Sequence, residues 1–298
     1  MKLLRTPDER FENLPNFPFK PNYIENDDIR IHYIDEGNED TETILLMHGE
    51  PSWSFLYRHM IPILVKAGYR TIAPDLVGFG RSDKPTEKSD HTYRRHVEWM
   101  SKVVNMLDLT GITLFCQDWG SLIGLRVAIE NQERFNRIVL SNGGLPTGEQ
   151  KVNKSFLEWQ HFSRTATKFN VGRIIQSATV TKLPKKVINA YNAPFPDDSF
   201  KAGARIMPSL VPTSKDDPEH VANKDAWEQF YQWKKPFLTA FSDKDPITRG
   251  AYRHWQEKVP GAQGQNHITI KDAGHFVQED KGPELAKLII EFIKKNPL

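Results

Sequence analysis

An α/β fold, with a mostly parallel central sheet flanked by helices and a helical cap inserted over it, is what this chain of 298 residues predicts. Two observations carry that prediction. Apolar runs of strand length recur at 44–47, 70–74, 112–116, 137–141, 237–241 and 267–270, and helix-period stretches such as 57–67 and 92–107 fill the gaps between them. After Gly143-Gly144-Leu145-Pro146 the pattern changes, and from 147 to 217 there are helical stretches and turns without a convincing core strand. The expected division is therefore a core domain of 1–146 and 218–298 and a helical cap of 147–217, lying over the strands' C-terminal ends, where open α/β sheets bind ligands. Residues 30–35 alternate like a strand. The first twenty-odd residues, polar and Pro-rich, are expected to form an arm over the surface, and 283–295 a closing amphipathic helix.

The stretch Cys116-Gln117-Asp118-Trp119-Gly120 follows the apolar run and precedes an amphipathic segment, so it predicts strand, tight turn and helix. Small residues flank its middle position, as in the G-x-S-x-G nucleophile elbow of α/β-hydrolases, but the centre is Asp118. That exchange changes the chemistry. A serine displacing a leaving group from saturated carbon would form an ether that a histidine-activated water cannot cleave. A carboxylate forms an ester, which water can cleave, so the pattern points to substitution at carbon followed by hydrolysis.

Downstream, Asp245 lies in Phe241-Ser242-Asp243-Lys244-Asp245-Pro246, and His275 lies in Asp272-Ala273-Gly274-His275-Phe276, each after a strand-like run. The order nucleophile, acid, histidine is that of α/β-hydrolases. His275 would be the base, with an acid holding its ring in one tautomer. Alone, Asp-Pro is a turn and Gly-His a loop, and Asp243 rivals Asp245 as the acid. Near the N-terminus, His48-Gly49-Glu50-Pro51-Ser52-Trp53 follows the run at 44–47. In this fold the corresponding loop and the residue after the nucleophile give the oxyanion hole its backbone N–H donors, here Glu50 and Trp119; His48 itself reads as structural.

Taken together, the Glu50 loop, Asp75-Leu76-Val77-Gly78-Phe79-Gly80-Arg81-Ser82-Asp83, Gln117-Asp118-Trp119-Gly120, Ala193-Pro194-Phe195-Pro196-Asp197 and Gly274-His275-Phe276 resemble haloalkane dehalogenases over nearly the whole chain. The resemblance implies hydrolysis of a carbon–halogen bond to a primary alcohol, halide and a proton through an aspartyl ester. It is closest to the subfamily whose catalytic acid follows the later strand, which favours Asp245. In sister subfamilies the acid follows the strand before the cap, where this chain has Asn142, which cannot act as an acid. A departing halide needs donors with no base beside it, and the indole N–H is donor-only. The resemblance implies two halide-binding tryptophans, Trp119 and a cap residue, for which Trp159 is the candidate within 147–217.

Two other readings are weighed against this one. An epoxide hydrolase would use the same Asp-His-Asp set but needs cap tyrosines to protonate its alkoxide, and the cap has one, Tyr191. Relatives that hold a carboxylate need basic residues, for which Arg164 and Arg205 are available. A non-catalytic ligand-binding protein of this fold would not need the intact Asp118, Asp245 and His275 set. For an apolar substrate the pocket walls are expected from Leu122, Phe156, Phe162, Met207, Pro208 and Ile247.

Composition sets the remaining bounds. A net charge of +2 gives no reason to expect nucleic acid or an anionic membrane as partner. A single cysteine, Cys116, excludes an internal disulfide and fits a reducing compartment. The N-terminal residues lack the apolar core of a signal peptide, so the expectation is a cytoplasmic monomer whose partners are substrate, water and halide. Neither clustered histidines nor a dinucleotide fingerprint is present, and no metal or organic cofactor is expected.

Overall fold

The computed structural model describes residues 1–26 and 28–297. Eight strands form one sheet: β1 (Asn22–Asn26), β2 (Ile29–Glu36), β3 (Thr43–Met47), β4 (Arg70–Pro74), β5 (Ile112–Gln117), β6 (Phe135–Ser141), β7 (Phe237–Ser242) and β8 (Ile268–Ile270). Across the sheet their order is β8-β7-β6-β5-β3-β4-β2-β1. The β1–β2 and β2–β4 pairs are antiparallel and the rest parallel, with Met47 opposite Cys116 and Gln117 opposite Ser141. Strands β3 and β5 are buried at every position, which is why they read as continuous apolar runs rather than alternations.

The helix expected over 57–67 is shorter. Ser54–Tyr57 is a 3-10 turn, and the α-helix occupies Ile61–Lys66, with Pro62 in its first turn. Helix Tyr93–Met106 follows its expected span, with Thr92 as N-cap accepting from the Arg95 N–H. The closing helix, Val277–Lys295, starts six residues before the expected 283. Pro283 lies inside it, and the backbone leaves helical geometry at Lys281.

The N-terminal segment is more than a surface arm. Leu3–Leu4 pairs antiparallel with Lys84–Pro85, and Phe11 and Phe17 are buried with their rings against Trp53. Within 147–217 the described elements are helices and turns: Lys154–Thr165, Val171–Ser177, Lys185–Asn192, Ala202–Ile206 and short 3-10 segments. Among the described residues no helix is long and apolar enough to cross a membrane.

Asp75 explains the motif that surrounds it. Its buried carboxylate accepts from the Ser54 and Arg81 backbone N–H groups at 2.8 Å and contacts His32 Nδ1 at 2.7 Å. Together they anchor the loops below the site. His48 is likewise structural, its Nε2 accepting from the Leu76 N–H at 2.9 Å.

Candidate active site

Strand β5 ends at Gln117 and helix Trp119–Glu130 begins two residues later, leaving Asp118 on the turn with φ 51° and ψ −130°. A non-glycine residue with positive φ is strained by about 1–3 kcal/mol. Packing around the turn enforces it. A Cβ on Gly120 would lie 2.0 Å from the Met47 carbonyl oxygen, so only glycine lets the helix start against β3. The Asp118 N–H is bound to the Asn142 carbonyl at 3.0 Å, and its own carbonyl accepts from Ser121 N–H at 2.8 Å.

The two oxygens of Asp118 have different partners. Oδ1 accepts the Glu50 backbone N–H at 2.7 Å, while Oδ2 lies 3.2 Å from His275 Nε2. Gly49 permits this approach, since a Cβ there would stand 2.2 Å from Oδ1. The Trp119 backbone N–H lies next along the chain, at the first position of the helix.

On its far side, His275 Nδ1 is 2.9 Å from Asp245 Oδ2. Asp245 also accepts the Ile247 N–H at 2.8 Å and the Thr248 hydroxyl. The rival Asp243 points elsewhere, its Oδ1 accepting the Ala273 N–H. Burial alone would depress the His275 pKa. The charges and hydrogen bonds of Asp245 and Asp118 outweigh it and raise the imidazole to about 10. Burial acts on Asp245 in the raising direction, and the His275 charge and the three hydrogen bonds hold that carboxyl below its ordinary value.

Sequence reasoning missed three supports of this set. Asn142, in the place where an acid could have stood, donates through Nδ2 to the His275 carbonyl at 2.9 Å and to the Gly274 carbonyl at 3.0 Å. The Gln117 amide sits against the His275 ring and carbonyl. The Thr248 hydroxyl holds the carboxyl of Asp245.

These groups open into a cavity of about 1650 Å³. Glu50, Asp118, Trp119, Trp159 and His275 line it, together with Leu122, Phe156, Phe162, Pro208 and Ile247. Met207 does not. It is fully buried within the 3-10 turn Met207–Leu210, in the hydrophobic core, while its neighbour Pro208 reaches the cavity. Phe156, Trp159 and Phe162 follow one another at three-residue steps on helix Lys154–Thr165, which places them along one face. The Trp159 ring stacks on Phe162 at 5.8 Å and lies 6.0 Å from Phe169.

Glu50 lines this cavity with Trp159, and its carboxyl is buried. Burial and then the Asp118 charge push that carboxyl well above its usual range, against the pull of His275 and Trp159. Its Oε1 has no hydrogen-bond partner among the described residues. Tyr191 is outside the cavity lining and fully buried, its hydroxyl donating to Glu279. Arg164 and Arg205 are outside the lining as well. Among the described residues no group of three or more His, Cys, Asp or Glu could hold a metal ion.

Residues 42–282 match a family model described as alpha/beta hydrolase fold. A haloalkane dehalogenase of Psychrobacter cryohalolentis is 55% identical over 302 aligned positions, covering 100% of both chains. Another, of Mycobacterium marinum, is 50% identical and covers 98% of this chain and 100% of its own. The tetrameric haloalkane dehalogenase of Paraglaciecola agarilytica superposes with a TM-score of 0.91 at 36% identity, over 97% of each chain. Likeness of this extent, in sequence and in fold, covers nearly the whole chain, which belongs to the haloalkane dehalogenases of the α/β-hydrolase superfamily.

Proposed function

We propose that this dehalogenase cleaves the carbon–halogen bond in two steps divided between Asp118 and His275. The observation that supports this best is the unequal setting of the two Asp118 oxygens. Oδ1 is held by the Glu50 N–H, and Oδ2, which faces the His275 ring, is the oxygen that attacks the carbon bearing the halogen. The C–O bond forms as the C–X bond breaks, and the halide leaves with the electron pair. Trp119 and Trp159 donate their indole N–H groups to it. Water then gives a proton to His275 Nε2 and attacks the ester carbonyl. The oxyanion on Oδ1 is held by the Glu50 and Trp119 N–H groups, and collapse releases the alcohol. Asp245 keeps the ring oriented and stabilises its cation.

Segment 147–217 acts as the cap that closes the cavity and excludes water during alkylation. With a volume above the roughly 300–1,000 Å³ of common ligand sites, the cavity has room for elongated as well as short haloalkanes. The Tyr191 hydroxyl, committed to Glu279 outside the cavity, is not available to protonate an epoxide oxygen. A panel of chloro- and bromoalkanes of increasing chain length, with epoxides included, tests the reading. Halide release from the haloalkanes and no diol from the epoxides is expected. Epoxide turnover in the absence of halide release would overturn it. The lone buried Cys116 suits a cytoplasmic setting, and a monomer is the expected state, which light scattering checks.

The pH dependence follows from His275. It can accept a proton from water only when neutral, and with both carboxylates charged its pKa is raised to about 10. Alkylation neutralises Asp118 and removes one of the two anions that raise it, so the value falls in the ester. Ester hydrolysis therefore declines as pH drops through this lowered value, whereas alkylation requires only the Asp118 carboxylate. Single-turnover traces at acid pH are expected to show the ester accumulating. A parallel decline of both steps would contradict the division of roles.

A further inference from the structure

His275 Nε2 faces two groups with opposite demands. Asp118 Oδ2, at 3.2 Å, can only accept a proton from it. The amide Nε2 of Gln117, at 3.1 Å, can only donate one to it. The orientation of that amide follows from its surroundings. Gln117 Nε2 also lies 3.2 Å from the His275 main-chain carbonyl, a pure acceptor, and Gln117 Oε1 accepts from Gln278 Nε2 at 3.3 Å. Turning the amide over would set oxygen against oxygen at the carbonyl and NH2 against NH2 at Gln278. The side chain is fully buried at the end of β5, one residue before the nucleophile, so it cannot swing away into solvent.

A single nitrogen cannot satisfy both neighbours at once. When Nε2 carries a proton it serves Asp118, and the facing Gln117 N–H is left opposed to an N–H. When Nε2 is bare, its lone pair accepts from Gln117, and the ring's remaining proton on Nδ1 goes to Asp245 at 2.9 Å. Before alkylation the Asp118 anion decides the contest. After Oδ2 has become the alkyl oxygen of an ester, it has lost its charge and most of its strength as an acceptor. Gln117 is then the stronger partner, and it favours the neutral ring in the tautomer that a general base requires.

We propose that Gln117 is a positioning residue that tunes His275 for hydrolysis, favouring neutral imidazole once the ester exists and leaving the imidazolium to Asp118 before it. Incoming water displaces the amide N–H from Nε2, exchanging one hydrogen bond for another. This inference rests on the reading of His275 as the hydrolytic base.

The test replaces Gln117 with methionine, which keeps the length of the side chain and removes the donor. In Gln117→Met the acid limb of single-turnover ester hydrolysis should move to higher pH by about one unit, with roughly tenfold slower hydrolysis on the acid side and recovery on the alkaline plateau. Gln117→Glu, with an anion in place of the donor, should move it further in the same direction. An even loss at all pH values, with the limb unmoved, would mean that Gln117 is only packing and would overturn the proposal. A second measurement does not depend on turnover. Asp118→Asn imitates the neutralised nucleophile, and the His275 titration, followed by NMR, should lie about one unit higher in Asp118→Asn with Gln117→Met than in Asp118→Asn alone. Coincident titrations would refute the inference. If the parent enzyme forms no ester at all, the underlying reading of the site fails instead.

Discussion

Replacing His275 with phenylalanine should leave an enzyme that alkylates itself once and stops. The ring is the group in contact with Asp118 Oδ2 that can take a proton from water, and phenylalanine keeps its bulk without that ability. Substitution at carbon needs only the carboxylate, so one halide per active site should still be released. Mass spectrometry of a digest should then find a substrate-derived mass increment on the peptide that contains Asp118. Steady-state turnover should fall by at least about a hundredfold, the lower end of what a positioned acid or base contributes. An adduct on another residue, or steady multiple turnover, would show that the nucleophile or the base is wrong. Asp118→Ala should release no halide.

The second large effect concerns the leaving group. Trp159→Phe preserves the stacking on Phe162 and an aromatic neighbour for Phe169 but removes an N–H donor. Charge on the halogen grows along the reaction coordinate, so a donor aimed at it acts mainly in the transition state. Loss of one such donor costs about 2.7–4 kcal/mol, a hundredfold to a thousandfold in the alkylation rate. Chloride or bromide should perturb the tryptophan fluorescence of the parent protein more than that of the variant. Near-parent alkylation by Trp159→Phe would reduce Trp159 to a packing residue.

How much of this was legible beforehand depended on the distance in sequence over which each feature is encoded. The elbow is local: strand, turn and helix are written in adjacent residues, and the close approaches that demand Gly49 and Gly120 leave a visible mark. The buried strands β3 and β5 announce themselves as apolar runs. By contrast, β1 is a polar edge segment, Asn22-Tyr23-Ile24-Glu25-Asn26, with no such run, and it forms by pairing with β2. The N-terminal strand Leu3–Leu4 depends on Lys84–Pro85, some eighty residues away. At the site, Gln117 and Asn142 reach His275 across more than a hundred residues, and nothing in their own neighbourhoods marks them. Met207 shows the converse limit. An apolar residue beside a pocket residue can face either cavity or core, and sequence does not say which when the backbone turns as tightly as a 3-10 helix.

The shared hold of Asp118 and Asp245 on the His275 ring also fixes when acid leaves the enzyme. In the balanced reaction one alkyl halide and one water give alcohol, halide and one proton. While both carboxylates are charged they raise the His275 pKa together, which favours a proton on the resting ring. Ester formation withdraws one of the two anions that retain it, and by linkage the proton is released to solvent at that stage. The proton later taken from water stays on the ring and restores the resting state. On the proposed mechanism each turnover is expected to draw on a proton left by the one before, so a pH-indicator trace should show acidification one step ahead of the alcohol.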